Sequence, residues 1–239
     1  MTLTVDIGNT RSKWALFDGD RLAEESAGLP LPQAEQTVFC ATGEVSPEMR
    51  KALGDEAVDF ATFVREGRLP IDIDYATPQT LGPDRVAAAC GAWKISGGKA
   101  CVVIDAGTCI TIDYLDASGT YLGGAILPGI SMKFRALHTF TAKLPLLEMK
   151  SEEEECTAPV TGRTTEESMR AGVSAATRFA IEGFVSHYRK IDPMAEVLVT
   201  GGDAGRVALP GCRVEPELVM RGLNWVMEEQ EKNDSKRNT

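Results

Sequence analysis

The sequence predicts an α/β protein of two similar domains, and three observations carry the prediction. A strand-rich unit whose first strand ends in Asp and turns through Gly occurs twice. Val5-Asp6-Ile7-Gly8-Asn9-Thr10 aligns with Ile104-Asp105-Ala106-Gly107-Thr108-Cys109, matching the Asp and the Gly and setting polar Asn9 over polar Thr108. Each copy is followed by helical patterns, so strands and helices interleave. The chain, at 239 residues, is also longer than one small core usually serves. The restart of the pattern sets the boundary, giving domains 1–100 and 101–239.

In order, Leu3 to Ile7 alternates, Gly8-Asn9-Thr10 turns, Trp14 to Phe17 resumes, and Asp18-Gly19-Asp20 is a hairpin signal before Arg21-Leu22-Ala23. These make a three-stranded antiparallel meander. Val38 to Thr42 reads as a short buried strand, and Ser46-Pro47 opens a helix with Ser as N-cap and Pro at its first position. Ile71 to Tyr75 alternates again. Gly82-Pro83-Asp84-Arg85 begins a helix that keeps Val86, Ala89, Cys90 and Trp93 on one face until Gly97-Gly98 stops it. The second meander runs through Cys101 to Asp105, Ile110 to Tyr114 and Tyr121 to Ala125. A long helix is expected from about Thr165 to Lys190, with Met169, Val173, Ala176, Ala180 and Phe184 along one stripe. A strand at Val197 to Val199, the string Thr200-Gly201-Gly202-Asp203 and a helix from about Pro216 to Met227 close the fold, with a fraying polar tail after Glu228. The acidic stretch 148–155 reads as a solvated loop.

Composition narrows the function. A formal net charge of −10 is the wrong sign for a phosphate backbone, so no nucleic-acid partner is expected. No apolar run approaches the ~20 residues of a membrane span, and the N-terminus carries no secretory signal, which makes the cytoplasm the expected location. The six cysteines (Cys40, Cys90, Cys101, Cys109, Cys156, Cys212) read as reduced core residues. With only His138 and His187 and no Cys-x-x-Cys, neither a structural zinc site nor a histidine-based nucleophile is expected.

The chemistry sits in the repeated turn. A strand ending in Asp, followed by a Gly-containing turn, sets backbone N–H groups and short hydroxyls beside a carboxylate, which suits a phosphate and its metal. Asp6 could hold Mg²⁺, Gly8, Asn9, Thr10 and Ser12 could line phosphate oxygens, and Lys13 could neutralise them. Asp105, Gly107 and Thr108 could face the same phosphates from the second copy. One such turn alone is as easily a plain turn. Its recurrence at equivalent places favours function.

The paired loops resemble the superfamily of acetate and sugar kinases, actin and the heat-shock ATPases. Asp6-Ile7-Gly8-Asn9-Thr10, Leu81-Gly82-Pro83-Asp84-Arg85, Asp105-Ala106-Gly107-Thr108 and Gly123-Gly124-Ala125-Ile126-Leu127-Pro128-Gly129 resemble, in order and spacing, the type III pantothenate kinases. Gly-Pro-Asp-Arg is the most discriminating string. The resemblance implies two domains of the actin-like ATPase (ribonuclease H-like) fold with an ATP cleft between them, and phosphorylation of pantothenate to 4'-phosphopantothenate, the first step of coenzyme A biosynthesis. It implies that Asp6, Ile7, Gly8, Asn9, Thr10, Arg11, Ser12 and Lys13 bind ATP, with Thr108 from the other domain and Gly201-Gly202 against adenosine. Asp105 would ligate a monovalent cation, K⁺ or NH₄⁺, and Asp84 would be the general base. Tyr75, Gly82, Pro83, Arg85 and Thr165 would frame pantothenate with Asp84. A homodimer is implied, for which the Met169–Phe184 stripe could supply the contact. Simpler roles stand beside these: Asp84 complements a helix dipole, Thr164 and Glu167 make a capping box, and Tyr75 is a strand aromatic. The alternatives are another small-molecule kinase or polyphosphate hydrolase on this scaffold, in which Leu81 to Arg85 would lack a reason, or a non-catalytic nucleotide-binding regulator.

Overall fold

The computed structural model describes residues 1–149 and 160–237. Contacts group them into two compact units: residues 1–101, 115–123 and 217 onward in the first, and 102–114 and 124–216 in the second. The first break falls at Cys101, beside the expected boundary. The segments 115–123 and 217 onward belong with the first unit.

Unit 1 opens with the expected meander, β1 (Thr2–Ile7), β2 (Ser12–Asp18) and β3 (Arg21–Ala27), each strand antiparallel to the next. β4 (Gln36–Ala41) then pairs parallel with β1, and β5 (Val58–Asp59) parallel with β4, giving the order β3-β2-β1-β4-β5. Leu3, Val5 and Ile7 of β1 point into a core with Trp14, Leu16 and Met49. Period-2 alternation accounts for that side-chain set. Helix α1 (Pro47–Leu53) starts as its sequence demands, with Ser46 Oγ accepting the Met49 N–H at 3.2 Å. Helix α2 (Phe60–Glu66), capped by Asp59, precedes β6 (Asp72–Ile73). Only those two residues of the alternating Ile71–Tyr75 run pair as a strand: Asp72 N–H on Gly119 O and Asp74 N–H on Tyr121 O are its rungs, and the chain then leaves for the turn at Pro78–Thr80.

Helix α3 (Pro83–Ser96) ends where Gly97 takes a left-handed φ of 68°. The expected single apolar face is incomplete: Ala87, Ala88 and Ala92 are buried as well, which makes α3 a core helix. The cause is the last helix, α8 (Leu218–Arg237), whose backbone lies almost against it. A Cβ on Gly91 would stand 2.4 Å from Leu218 O, and one on Gly222 1.8 Å from Ala87 O. α8 continues to Arg237, past the expected end at Met227, and bonds hold it to unit 1: Lys94 to Glu228 at 3.1 Å, and Gln230 to Arg68 O at 3.0 Å.

In unit 2, β7 (Cys101–Ala106) and β8 (Cys109–Leu115) lead into β9 (Thr120–Pro128), whose first residues lie in unit 1 and pair parallel with β6. β10 (Glu196–Thr200) and β11 (Arg213–Val214) extend the sheet at the edge opposite β6, giving beyond edge strand β6 the order β9-β8-β7-β10-β11, with β11 parallel to β10. That is the strand order of the first sheet repeated, so the sequence alignment of the two turns reflects a repeated topology. Helix α4 (Ile130–Thr139) follows β9, and a four-residue helix, α7 (Ala204–Val207), follows β10.

The expected long helix is interrupted. α5 (Thr165–Arg170) passes through a π turn at Ala171–Ala175 into α6 (Ala176–Ile191). One extra residue in the turn rotates the following face by one position, so the buried stripe runs Met169, Val173, Thr177, Ile181, Val185, while Ala176 is exposed. Three of the five stripe residues offered for a dimer contact, Ala176, Ala180 and Phe184, are therefore off the face the helix buries. Among the cysteines, Cys40, Cys90 and Cys101 are buried, Cys109 is exposed and Cys212 half-buried, so the core reading fails for the last two. Cys109 begins β8 at the loop itself, and Cys212 lies in the connection before β11. Cys156 and residues 150–155 of the acidic stretch lie outside the described residues.

Candidate active site

In unit 1 the β1–β2 turn is built around Asp6. Asp6 faces Lys13 in the antiparallel register and Cys40 in the parallel one, and Ile7, opposite Ser12, is buried beneath the turn. Gly8 N–H closes the turn on Arg11 O at 3.2 Å, leaving Asn9, Thr10 and Arg11 exposed and Ser12 half-buried. The loop after β4 clasps this turn from the side: Thr42 and Gly43 N–H both donate to Ile7 O, at 3.0 and 3.1 Å. A Cβ on Gly43 would stand 2.6 Å from Gly8 O, so only glycine permits that approach.

Asp84 stands in the first turn of α3. Its Oδ1 accepts the Arg85 N–H at 2.8 Å, and a Cβ on Gly82 would meet the same oxygen at 2.6 Å, so Gly82 leaves room for the carboxylate to fold back over its own helix start. Pro83 occupies the first helical position, where a missing N–H costs nothing. Arg85 is buried. Burial, then the like charge of Asp84, push the Asp6 carboxyl up to about 6, with Lys13 opposing. Burial and the charges of Asp6, Asp84 and Asp59 likewise push the Cys40 thiol up, so that residue stays a neutral neighbour. The turn residues and the Gly-Pro-Asp-Arg string, far apart in sequence, are thereby brought within electrostatic reach of one another. Tyr75 is seated separately, its ring tilted against that of buried Tyr121 at 6.3 Å, and 3.1 Å from where a Cβ on Gly123 would stand.

Unit 2 repeats the device. Asp105 is the penultimate residue of β7, and Gly201, at φ 93°, packs on the strand end so closely that a Cβ would meet Ala106 O at 2.4 Å and Asp105 Oδ1 at 2.5 Å. Gly129 N–H donates to Thr108 O at 3.1 Å, and Thr108 is exposed. Gly201, expected against adenosine, is thus packed on the Asp105 turn. Gly43 is a clasp that sequence reasoning missed, although Thr42-Gly43 just past β4 and Thr200-Gly201 at the end of β10 are the same dipeptide at comparable places in the two repeats.

Thr165 lines a groove of about 870 Å³ between α4 and α5, with Lys133, Leu137, Met169 and Gly172 among its walls. Thr164 Oγ1 accepts the Glu167 N–H at 3.1 Å and Glu167 Oε2 accepts the Arg163 N–H at 2.7 Å, which is the expected reciprocal cap shifted by one residue on the return bond. Lys133 was not anticipated at this groove. Burial holds its ammonium below the usual lysine pKa.

Comparison with known proteins adds the lineage. A family model described as type III pantothenate kinase matches residues 26–187. The type III pantothenate kinase of Phocaeicola vulgatus is 35% identical over 241 residues, covering 95% of this chain and 98% of that protein. Among solved structures, a conserved Campylobacter jejuni protein assigned to the Baf family of transcriptional activators superposes with a TM-score of 0.65 at 21% identity, covering 96% and 99% of the two chains. The activator of the 2-hydroxyisocaproyl-CoA dehydratase from Clostridium difficile, with bound ADPNP, gives 0.54 at 14% identity, covering 100% and 97%. These structural likenesses bear on fold alone, and the fold is that of the actin-like ATPases and sugar kinases. With the family model and the relative both spanning most of its length, the chain belongs to the type III pantothenate kinase family.

Proposed function

We propose that this chain transfers the γ-phosphoryl group of ATP to the primary hydroxyl of pantothenate, giving 4'-phosphopantothenate, the first step of coenzyme A biosynthesis. The observation that carries the reading is Asp84, set in the Gly-Pro-Asp-Arg string and close enough to Asp6 to raise its pKa. Phosphoryl transfer needs positioning, charge neutralisation and one proton acceptor. Asp84 takes the hydroxyl proton as the substrate oxygen bonds to phosphorus and the bond to ADP breaks. Gly82, Pro83, Arg85, Tyr75 and Thr165 frame the acceptor. Asp6 to Lys13 and Thr108 bind the ATP phosphates.

Two carboxylates from different elements, Asp6 beside the β1–β2 turn and Asp84 at the start of α3, near enough that the charge of one raises the pKa of the other, are a fit for a divalent cation. Asp6 is the residue proposed to hold Mg²⁺, which when bound neutralises phosphate charge. At the second loop, Asp105 Oδ1 and Ala106 O both turn toward Gly201, an oxygen donor set that suits K⁺ or NH₄⁺. A homodimer is part of the same proposal. No described helix is long and apolar enough to cross a membrane. The requirement for ATP makes the cytoplasm the compartment proposed for it. The test is ATP-dependent consumption of pantothenate by purified protein, with sugars and acetate as rival acceptors. Turnover of a rival with none of pantothenate replaces this reading with another kinase, and nucleotide binding without any turnover replaces it with a regulator.

A further inference from the structure

One face of the first sheet carries a row of charged groups of which the phosphoryl-transfer reading uses only Asp6 and Lys13. Leu3, Val5 and Ile7 of β1 and Trp14 and Leu16 of β2 point into the core, so Thr4, Asp6, Lys13 and Ala15 stand on the opposite face. Register sets Glu25 of β3 on that face too, directly across from Ala15. The start of α8 covers it. Thr4 Oγ1 donates to Met220 Sδ at 3.5 Å, and half-buried Glu217, whose O accepts the Arg221 N–H at 2.9 Å as the helix begins, brings its carboxyl onto that of Glu25. The two carboxyls share a hydrogen bond, which only a proton held between them supplies. On β2, between β1 and β3, Lys13 favours the ionised form of Asp6 and of Glu217 alike. The charged groups facing Glu217 are therefore Glu25 from β3, Lys13 from β2 and Arg221 from α8, with Asp6 of β1 facing Lys13 in turn. Burial and Glu25 push the Glu217 carboxyl above the usual glutamate range, and Lys13 and Arg221 oppose them.

We infer that Glu217 is the counter-ion from which Lys13 is released to a nucleotide phosphate, and that the Glu25–Glu217 pair takes up a proton from solvent in exchange, so that nucleotide binding at the β1–β2 turn is linked to protonation of this pair. It rests on Lys13 as a ligand of the ATP phosphates. A triphosphate draws the ammonium away from Glu217 and adds negative charge of its own, and both changes disfavour two ionised carboxyls side by side. Lys13 keeps its proton throughout. Arg221 is charged at every working pH and cannot cancel the change. Asp6 feels Lys13 as well, but the divalent cation proposed there holds it ionised, which leaves the Glu25–Glu217 pair to take the proton. Because the nucleotide-bound form carries the extra proton, affinity rises as pH falls through the range in which the pair titrates, by at most about tenfold per pH unit.

The experiment is calorimetric titration of the full chain with the Mg²⁺ complex of an ATP analogue whose β–γ bridge is nitrogen, which binds without transfer. Run in two buffers of different ionisation enthalpy, the difference in heat counts the protons exchanged. Wild type, Glu25→Gln, Glu217→Gln and Lys13→Met are compared, each Gln keeping the size and a hydrogen bond while losing the carboxyl. At about pH 6, wild type should take up about half a proton or more beyond either Gln variant, the nucleotide's own proton release being common to all. From about pH 8 to about pH 6 its affinity should gain at least about 3-fold on theirs. Lys13→Met has no ammonium to release, so its proton count should match that of Glu217→Gln although it binds more weakly. Equal counts in wild type and both Gln variants overturn the linkage, and an extra proton retained by Lys13→Met overturns the counter-ion role. The count needs no turnover. A wild type that takes up the proton but phosphorylates no pantothenate sinks only the kinase reading, while one that turns pantothenate over without the extra proton sinks only the linkage.

Discussion

Asp6 costs the folded protein stability, and the cost can be measured. Its carboxyl ordinarily titrates at 3.8 and is pushed up to about 6 in the fold by burial first and Asp84 second. Each pKa unit is 1.36 kcal/mol, so the ionised side chain destabilises the ligand-free fold by roughly 3 kcal/mol. The sign follows from proton counting. Below pH 3.8 both states are protonated and nothing is lost. As pH rises from 3.8 to 6 the unfolded chain ionises first, stability falls, and above about 6 the full loss is present. Replacing Asp6 by Asn removes the titration. In urea unfolding of ligand-free protein, Asp6→Asn should gain up to roughly 3 kcal/mol over wild type at pH 8 and less than about 1 kcal/mol at pH 4. The same variant should lose phosphoryl transfer, and millimolar Mg²⁺ with ATP should stabilise wild type more than the variant. A variant less stable than wild type at pH 8, or one equally stabilised at both pH values, would refute the reasoning.

Asp84→Asn keeps the size and the helix start but cannot accept a proton. Its kcat should fall roughly 10²–10⁴-fold with KM for ATP little changed, and near-normal kcat in a folded preparation removes the general base. Activity should require K⁺ or NH₄⁺ and drop in sodium-only buffer, and full turnover in a buffer free of both rejects the cation role of Asp105. Gly43→Ala places a methyl 2.6 Å from Gly8 O, so KM for ATP should rise on the order of tenfold with far-UV circular dichroism unchanged. An unchanged KM means the clasp does not set the turn.

Much of this architecture was legible because the features are local. The Asp–Gly turns, the Ser46 cap and the Gly97 stop each follow from a few adjacent residues, and the repeat of β1–β3 in β7–β9 follows from comparing two such stretches. The π turn was not legible, because spacing of three or four from Met169 fits Ala176 as well as Thr177, and only packing decides between them. Gly43 escaped because what it demands is an approach to Gly8, a contact no local pattern records. Lys133 drew no reading from the sequence, because the groove and the Thr177 hydroxyl beside it are assembled only by packing. The core helix α3 was misread for a related reason: its second buried face exists only because α8, far along the chain, arrives on it.

That arrival has a consequence for synthesis. The first hundred or so residues leave the ribosome with α3 exposing the Ala87–Gly91 surface that Gly222 and Leu218 later cover. At 5–20 residues per second, translation takes of the order of ten seconds to deliver the covering helix. Throughout that interval the nascent first unit is a sheet with one helix face open to chaperones and to other nascent chains. Premature stop codons between β7 and the start of α8 should therefore yield not a soluble nucleotide-binding fragment but an aggregation-prone one.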